Sequence, residues 1–405
     1  MKSLQRPLAA GLILLIAAAA FVLVITPLGK HFVSTPHPLQ LRGQITDVNG
    51  VPLVVAARQG PPWALQYPEG ETLAQVLGVT NKDGLGLEGL QLQHDATLSG
   101  RAGSPGKSLR LTLDLSKQRA LESALKPFLT RYGESVEAIM LNRQGHIIAA
   151  ASLPGFNPNQ RQTYNPSRMK FRPVTDVFEP GPMLMPFFVA EGLAQHGKTF
   201  LSTQPTPENL VKRLQLAGLQ SALQRFAFNQ RTGIEFPGEV HTLLAKTSPQ
   251  VVYAQPAGNS HAIPLENALA QGNAVAPTLL RYAVSYASLL DGNLTAPTLE
   301  SKPGQSAPLS RNLLPETATH MRSYLTNTSR QAGYPNLAGT AAVWRSATHT
   351  RQQYAMAAVF EPVEQPQHVL LVKLTARDEV ELPTDLGWQL GEGLMRAQFI
   401  PPAQQ

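Results

Sequence analysis

A chain of 405 residues with 43% hydrophobic and 15% charged positions can bury more than one core, which excludes a disordered protein. It has no cysteine and its ten histidines show no His-x-x-x-His or His-Glu-x-x-His spacing, so thiol chemistry and cysteine-ligated metal are excluded and no cofactor or metal is expected. The formal net charge of +7 comes from Lys and Arg scattered singly, without the basic runs of a nucleic-acid footprint, so no nucleic-acid partner is expected.

The run from Leu8 to Ile25 is uncharged and mostly aliphatic. At about 1.5 Å per residue it just crosses a hydrocarbon core of about 30 Å. It exits through Thr26-Pro-Leu-Gly29 instead of a small-residue cleavage site, which favours a retained single-pass anchor over a cleaved signal peptide. The short basic tail before it places the N-terminus inside. Residues 1–30 are thus read as tail and anchor, and a polar tether follows.

From Arg42 to Leu53 apolar positions alternate around Asn49-Gly50, which predicts a hairpin with a type I′ turn. Gly78 to Gly100 is rich in turn residues, and Arg101 to Lys107 reads as a linker. An alternating strand is expected over Leu109–Asp114, then an amphipathic helix over Ser116–Arg131 with Pro127 as a kink or stop. A second hairpin pairs Glu137–Leu141 with Gly145–Ala150. Helical pattern recurs over Met183–Gln195, Glu208–Phe226, Leu265–Leu290 and Pro315–Leu325, and strands are expected over Tyr334–Trp344, Tyr354–Glu361 and His368–Leu374. Strands flanking helices imply an α+β fold with an antiparallel sheet.

Several phrases, in order, carry a resemblance. Arg42-Gly43-x-Ile45-x-Asp47-x-x-Gly50, then Gly84-Leu-Gly-Leu-Glu88-Gly89-Leu90, Leu111-Thr-Leu-Asp114, Ser152-Leu-Pro154-x-x-x-Pro158-Asn159 and Gly233-Ile-Glu-Phe-Pro237-Gly238-Glu239 resemble the signatures of class B penicillin-binding proteins, the division and elongation enzymes that cross-link peptidoglycan. The resemblance implies a transmembrane helix, a short pedestal domain over 31–106 and a transpeptidase-like, serine β-lactamase-like domain over 107–400, with the bulk periplasmic at a bacterial inner membrane. The pedestal is shorter than the family's.

The active enzymes carry Ser-x-x-Lys at a helix start, so that the lysine can deprotonate the serine, with Ser-x-Asn and Lys-Thr-Gly completing the site. Here Asp176-Val-Phe-Glu179-Pro180-Gly181 marks the first site, but Pro182 stands for the nucleophile and Met185 for its base, and no Ser, Thr or Lys occurs between Asp176 and Gly197. The second motif falls near Thr206 and Glu208 without the required pair. The third aligns as Leu337-Ala338-Gly339. Ser104-x-x-Lys107 and Ser167-x-x-Lys170 spell the first motif in loops ahead of the site, and Lys246-Thr247 spells part of the third too early in the chain. The resemblance therefore implies a non-catalytic scaffold or regulator of wall synthesis or cell division. A transpeptidase with a relocated nucleophile and a non-covalent peptidoglycan-binding module are the alternatives. The expected partners are an integral membrane peptidoglycan glycosyltransferase or other division and elongation proteins, contacted through Arg42, Gly43, Asp47, Gly50, Glu88 and Gly89, with peptidoglycan as a further candidate.

Overall fold

The computed structural model describes residues 41–56, 64–100, 104–244, 250–254, 260–302, 308–348, 351–361 and 365–399. The apolar run Leu8–Ile25 lies outside them. Among the described residues no helix is long and apolar enough to cross a membrane.

The N-terminal part is a small sheet in the order β3-β2-β1-β4, from β1 (Ile45–Thr46), β2 (Pro52–Ala56), β3 (Leu65–Gln66) and β4 (Leu109–Arg110). β1 and β2 form the expected antiparallel hairpin, but its turn is not type I′. Only Gly50 has a positive φ, and Asn49 does not. Asp47 dictates the turn: its Oδ1 accepts from the backbone N–H of Asn49 and Val51, both at 2.8 Å, and its carbonyl accepts from Gly50 at 3.1 Å. An Asx-type bond thus replaces the second left-handed residue. β4, assigned by sequence to the following domain, pairs in parallel with β1. The strand expected over Leu109–Asp114 is short because Asp114 turns to cap the next helix, accepting from Lys117 N–H at 3.1 Å.

That helix, α1 (Leu115–Tyr132), passes through Pro127 without stopping. Pro127 lies on the exposed face, so the Ser123 carbonyl that loses its partner faces water, while Leu121 and Leu125 before it and Phe128 and Leu129 after it hold the helix to the sheet. The main sheet is antiparallel and five-stranded, in the order β7-β8-β9-β5-β6, from β5 (Gly133–Asn142), β6 (Ile147–Leu153), β7 (Ala338–Arg345), β8 (Gln353–Glu361) and β9 (His368–Ala376). Alternate residues point to opposite layers. Ala355, Ala357 and Val359 of β8 pack with α1 and the C-terminal helix α6 (Leu386–Phe399), whereas Met356, Ala358 and Phe360 pack with the central helices. Those are α2 (Met185–His196), α3 (Pro207–Arg225), α4 (Leu279–Asp291) and α5 (Pro315–Gln331). Burial on both faces explains why the central strands read as near-continuous apolar runs.

The single helix expected over Leu265–Leu290 is two, Leu265–Ala270 and α4, with a short strand Val275–Ala276 between them. Gly272 breaks it. Its φ is +76° and a Cβ there would lie 1.9 Å from the Gly181 carbonyl oxygen, so the backbones meet where only glycine fits. Pro277 and the Thr278 cap, whose hydroxyl accepts from Arg281 N–H at 3.1 Å, then restart the helix.

Candidate functional site

The approach to the first motif is pinned on both sides. Phe178 N–H donates to Pro277 O at 3.1 Å, and Gly181 N–H donates to Gly272 O at 3.2 Å. Between them the buried Glu179 ties down the β7–β8 connection, its Oε2 accepting from Ser346 Oγ at 3.0 Å and Ala347 N–H at 2.8 Å. The chain then enters a 3-10 turn, Gly181–Leu184, that runs directly into α2. Pro182 is exposed at the start of this turn, where a missing N–H costs nothing. Met183 and Leu184 are buried, with Met183 O accepting from Tyr282 Oη at 2.6 Å, and Met185 is half-buried against the core.

The residue of β7 that meets this turn is Trp344. Its Nε1 donates to Glu179 O at 3.1 Å, and a Cβ built on Gly181 would lie 2.7 Å from the indole. The indole is further packed on Tyr354, ring centroids 5.4 Å apart. Burial, followed by the charges of Glu179, Glu137 and Glu134, pushes the Tyr354 hydroxyl far above its ordinary value, so it is a neutral hydrogen-bonding group.

The third-motif phrase does not face this turn as a motif. Leu337 packs in the cluster formed with α1 and α6, on the opposite face of the sheet from the one that carries Ala338, Ala342 and Trp344. The reason is the two-residue period of a strand: aligning Leu337 to the family lysine fixes its face, and β7 turns that face away. Gly339 is required by close backbone approach, since a Cβ would lie 2.2 Å from Ala358 O. Thr206 and Glu208 are absorbed by the start of α3. Thr206 Oγ1 accepts from Asn209 N–H at 3.3 Å, and the exposed Glu208 carboxyl is held below its usual range by its own backbone N–H and then Thr206.

The two Ser-x-x-Lys phrases lie on the surface. Ser104 and Lys107 are exposed. Ser167 lies in a short helix, Pro166–Met169, not the loop expected, because Asn165 caps it, and its Oγ donates to Asn165 Oδ1 at 2.8 Å. Lys170 is exposed beyond that helix. Lys246 and Thr247 lie outside the described residues.

The residues expected to contact a partner divide into frame and surface. Arg42 is buried: its guanidinium donates to Gln91 Oε1 at 2.6 Å, Gly84 O at 2.7 Å, Asp95 Oδ1 at 2.8 Å, Gln91 O at 2.9 Å and Ser99 Oγ at 3.0 Å. Asp47 is buried as well, its Oδ2 accepting from Leu115 N–H at 3.2 Å. Gly43 and Gly89 are buried at close backbone crossings and Gly50 is half-buried in its turn. Of the six, Glu88 is exposed, and so are five apolar neighbours the sequence did not single out, Val48, Val51, Leu85, Leu87 and Leu92. Leu85, Leu87 and Leu92 share the turn-rich segment with Leu90 and Leu98, which are buried, and nothing local in the sequence tells the two sets apart.

The fold and turn define the class. The chain's architecture matches penicillin-binding protein 3 of Mycobacterium tuberculosis bound to aztreonam, with a TM-score of 0.71 and 20% identity over 89% of this chain and 96% of that one. By sequence it is related to the probable peptidoglycan D,D-transpeptidase PbpC of Pseudomonas aeruginosa, 34% identical over 152 residues that make up 32% of this chain and 27% of PbpC. It is likewise related to PenA of Neisseria meningitidis, 32% identical over 34% of this chain and 29% of PenA, and to peptidoglycan D,D-transpeptidase FtsI of Escherichia coli, 29% identical over 31% of this chain and 26% of FtsI. No family model matches the chain. The protein is thus a homologue of peptidoglycan D,D-transpeptidases with the fold of a penicillin-binding protein, and it aligns with under a third of the length of these curated relatives.

Proposed function

We propose that this chain is a catalytically inactive penicillin-binding-protein homologue that acts as a membrane-anchored scaffold or regulator in peptidoglycan synthesis or cell division. The observation that carries the reading is the 3-10 turn at Gly181–Leu184: the transpeptidase turn is held in place by Glu179 and Gly272, yet Pro182 offers no nucleophilic atom and Met185 no base. A side chain that can fold a turn and one that can open an acyl bond are different requirements, and only the first is met here.

A protein of this kind acts by binding one conformation of a partner better than another, which needs no acyl transfer. The surfaces that support such a role are the exposed Val48 and Val51 of the β1–β2 turn and the exposed Leu85, Leu87 and Leu92 of the segment that the Arg42 guanidinium holds. Crosslinkers placed at Val48 or Leu87 are expected to capture an integral membrane wall synthase or another division protein. Exchanging Leu8–Ile25 for an unrelated spanning helix is expected to weaken that capture. Recovery of nothing but soluble wall hydrolases, with full function after the exchange, would rule the scaffold out.

The reading also requires a periplasmic location. A reporter active only in the periplasm, fused after Gln405, is expected to be active. Release of the protein from membranes by a carbonate wash would contradict the anchor.

A further inference from the structure

A cavity of about 370 Å³ opens between the short helix Arg172–Thr175, the N-terminal end of α4 and the ends of β5, β8 and β9. It contains no residue of the Gly181–Leu184 turn and none of β7. Its volume falls within the range of about 300–1,000 Å³ typical of small-molecule sites. Its wall is polar and charged, with Arg172 and the Lys373–Glu137 pair inside and Glu134 and Asp176 nearer the mouth.

On the sheet side, Lys373 lies directly across β9 and β5 from Glu137, Nζ to Oε2 at 2.7 Å, and Nζ also donates to Thr375 Oγ1 at 3.1 Å. An ammonium has three donors, so one hydrogen bond and one ion pair leave it capacity for a further acceptor. On the helix side, Arg172 Nη2 donates to Ser167 O at 2.7 Å, while Nη1 is buried with no hydrogen-bond partner. The nearest carboxylate, Asp176 Oδ2, is 3.9 Å from Nε, beyond hydrogen-bond length. Arg172 Nη1 is therefore a buried donor in the cavity wall with no acceptor from the protein, beside a Lys373–Glu137 ion pair that leaves part of the ammonium free. Glu134 is exposed at the edge of β5, and the Asp176 side chain is 40% exposed. Inner donors call for a carboxylate, and outer carboxylates repel a bare anion and favour a cation at the mouth.

We propose that this cavity is a binding site for a small zwitterion of the α-amino acid or short-peptide class, its carboxylate held by Arg172 and Lys373 and its ammonium by Glu134 and Asp176. A carboxylate on a guanidinium fork and an ammonium beside two carboxylates satisfy both groups with charge-assisted bonds. The apolar contact surface is small, so affinity rests on having both charges at the right spacing.

Calorimetric titration of the full-length protein in detergent tests this, with glycylglycine and free L- and D-alanine as probes and with acetate and ethylammonium as single-charge controls. Saturable binding of at least one zwitterion is expected, with about tenfold or greater weakening in Arg172→Gln, as losing a charged hydrogen bond implies. Because Arg172→Gln could disturb the helix, Glu134→Gln, on an exposed side chain, is the second variant, and it should weaken the zwitterion while leaving acetate unchanged. No saturable binding of any zwitterion up to about 10 mM, above which affinity falls short of about 3 kcal/mol, overturns the proposal. So does acetate binding as tightly as the zwitterions, or zwitterion binding unaltered in both variants.

Discussion

Arg42→Ala is expected to lower the stability of the protein by about 3 kcal/mol, measured as a reduced urea midpoint with an unchanged slope for the N-terminal part. The guanidinium is the hub of that part, making five hydrogen bonds that join the segment before β1 to Gly84, Gln91, Asp95 and Ser99. Removing it leaves the Gly84 and Gln91 carbonyls without their side-chain donor and strips the cation from the Asp95 carboxylate, whose side chain is only 24% exposed and keeps just the Gly86 N–H and Ser99 Oγ. The penalty is the desolvation of those groups more than the loss of attraction. Arg42→Lys should recover only part of the loss, because a lysine cannot present a planar fork to acceptors on both sides. A loss below about 1 kcal/mol for the alanine variant, the range of an exposed ion pair, would show that the cluster is not a buried hub.

The same cluster shows where sequence reasoning succeeds and stops. The Arg42-Gly43 phrase was legible as a signature, but not its burial, because the acceptors come from a segment brought close only by folding. The strands of the main sheet were legible to within a few residues, since Met356 to Phe360 and Val369 to Val372 are apolar on both faces and no helix period fits them. The Leu265–Leu290 stretch misled because its apolar spacing continues across Gly272 and Pro277, which a reading by period alone overrides. The turn at Asn49-Gly50 misled because Asp47 supplies a side-chain acceptor that two-residue turn rules leave out.

At the candidate site the reverse holds. Pro182 and Met185 were legible because the flanking Glu179-Pro180-Gly181 phrase fixes their positions. Trp344 was not, since nothing local links a strand-end indole to a distant glycine. The opposite facing of Leu337 follows only once the register of β7 on β8 is known, with Ala338 against Phe360 and Trp344 against Tyr354.

Pro182→Ser alone is expected to remain as unreactive as the parent protein. The new hydroxyl would stand at the start of the turn with Met185 in the base's place, so nothing would take its proton. Trp344 would still lie on Gly181, and Leu337 would still stand where the family's substrate-holding lysine belongs, while Arg345 of β7 is paired with Glu381. In a serine protease of unrelated fold, losing the nucleophile or its base alone costs on the order of a millionfold in turnover, and restoring one of two missing partners recovers little because the two act as a unit. Acylation of this variant at rates typical of an active enzyme would mean that another residue serves as base.

Intact-mass measurement of the purified protein after prolonged incubation with excess benzylpenicillin decides whether a nucleophile is present. With none at Pro182, the expected result is one species at the unmodified mass. A stoichiometric adduct of one penicilloyl group would contradict it, and peptide mapping of that adduct to Ser104, Ser167 or Ser346 would identify the nucleophile that replaced the one missing at Pro182.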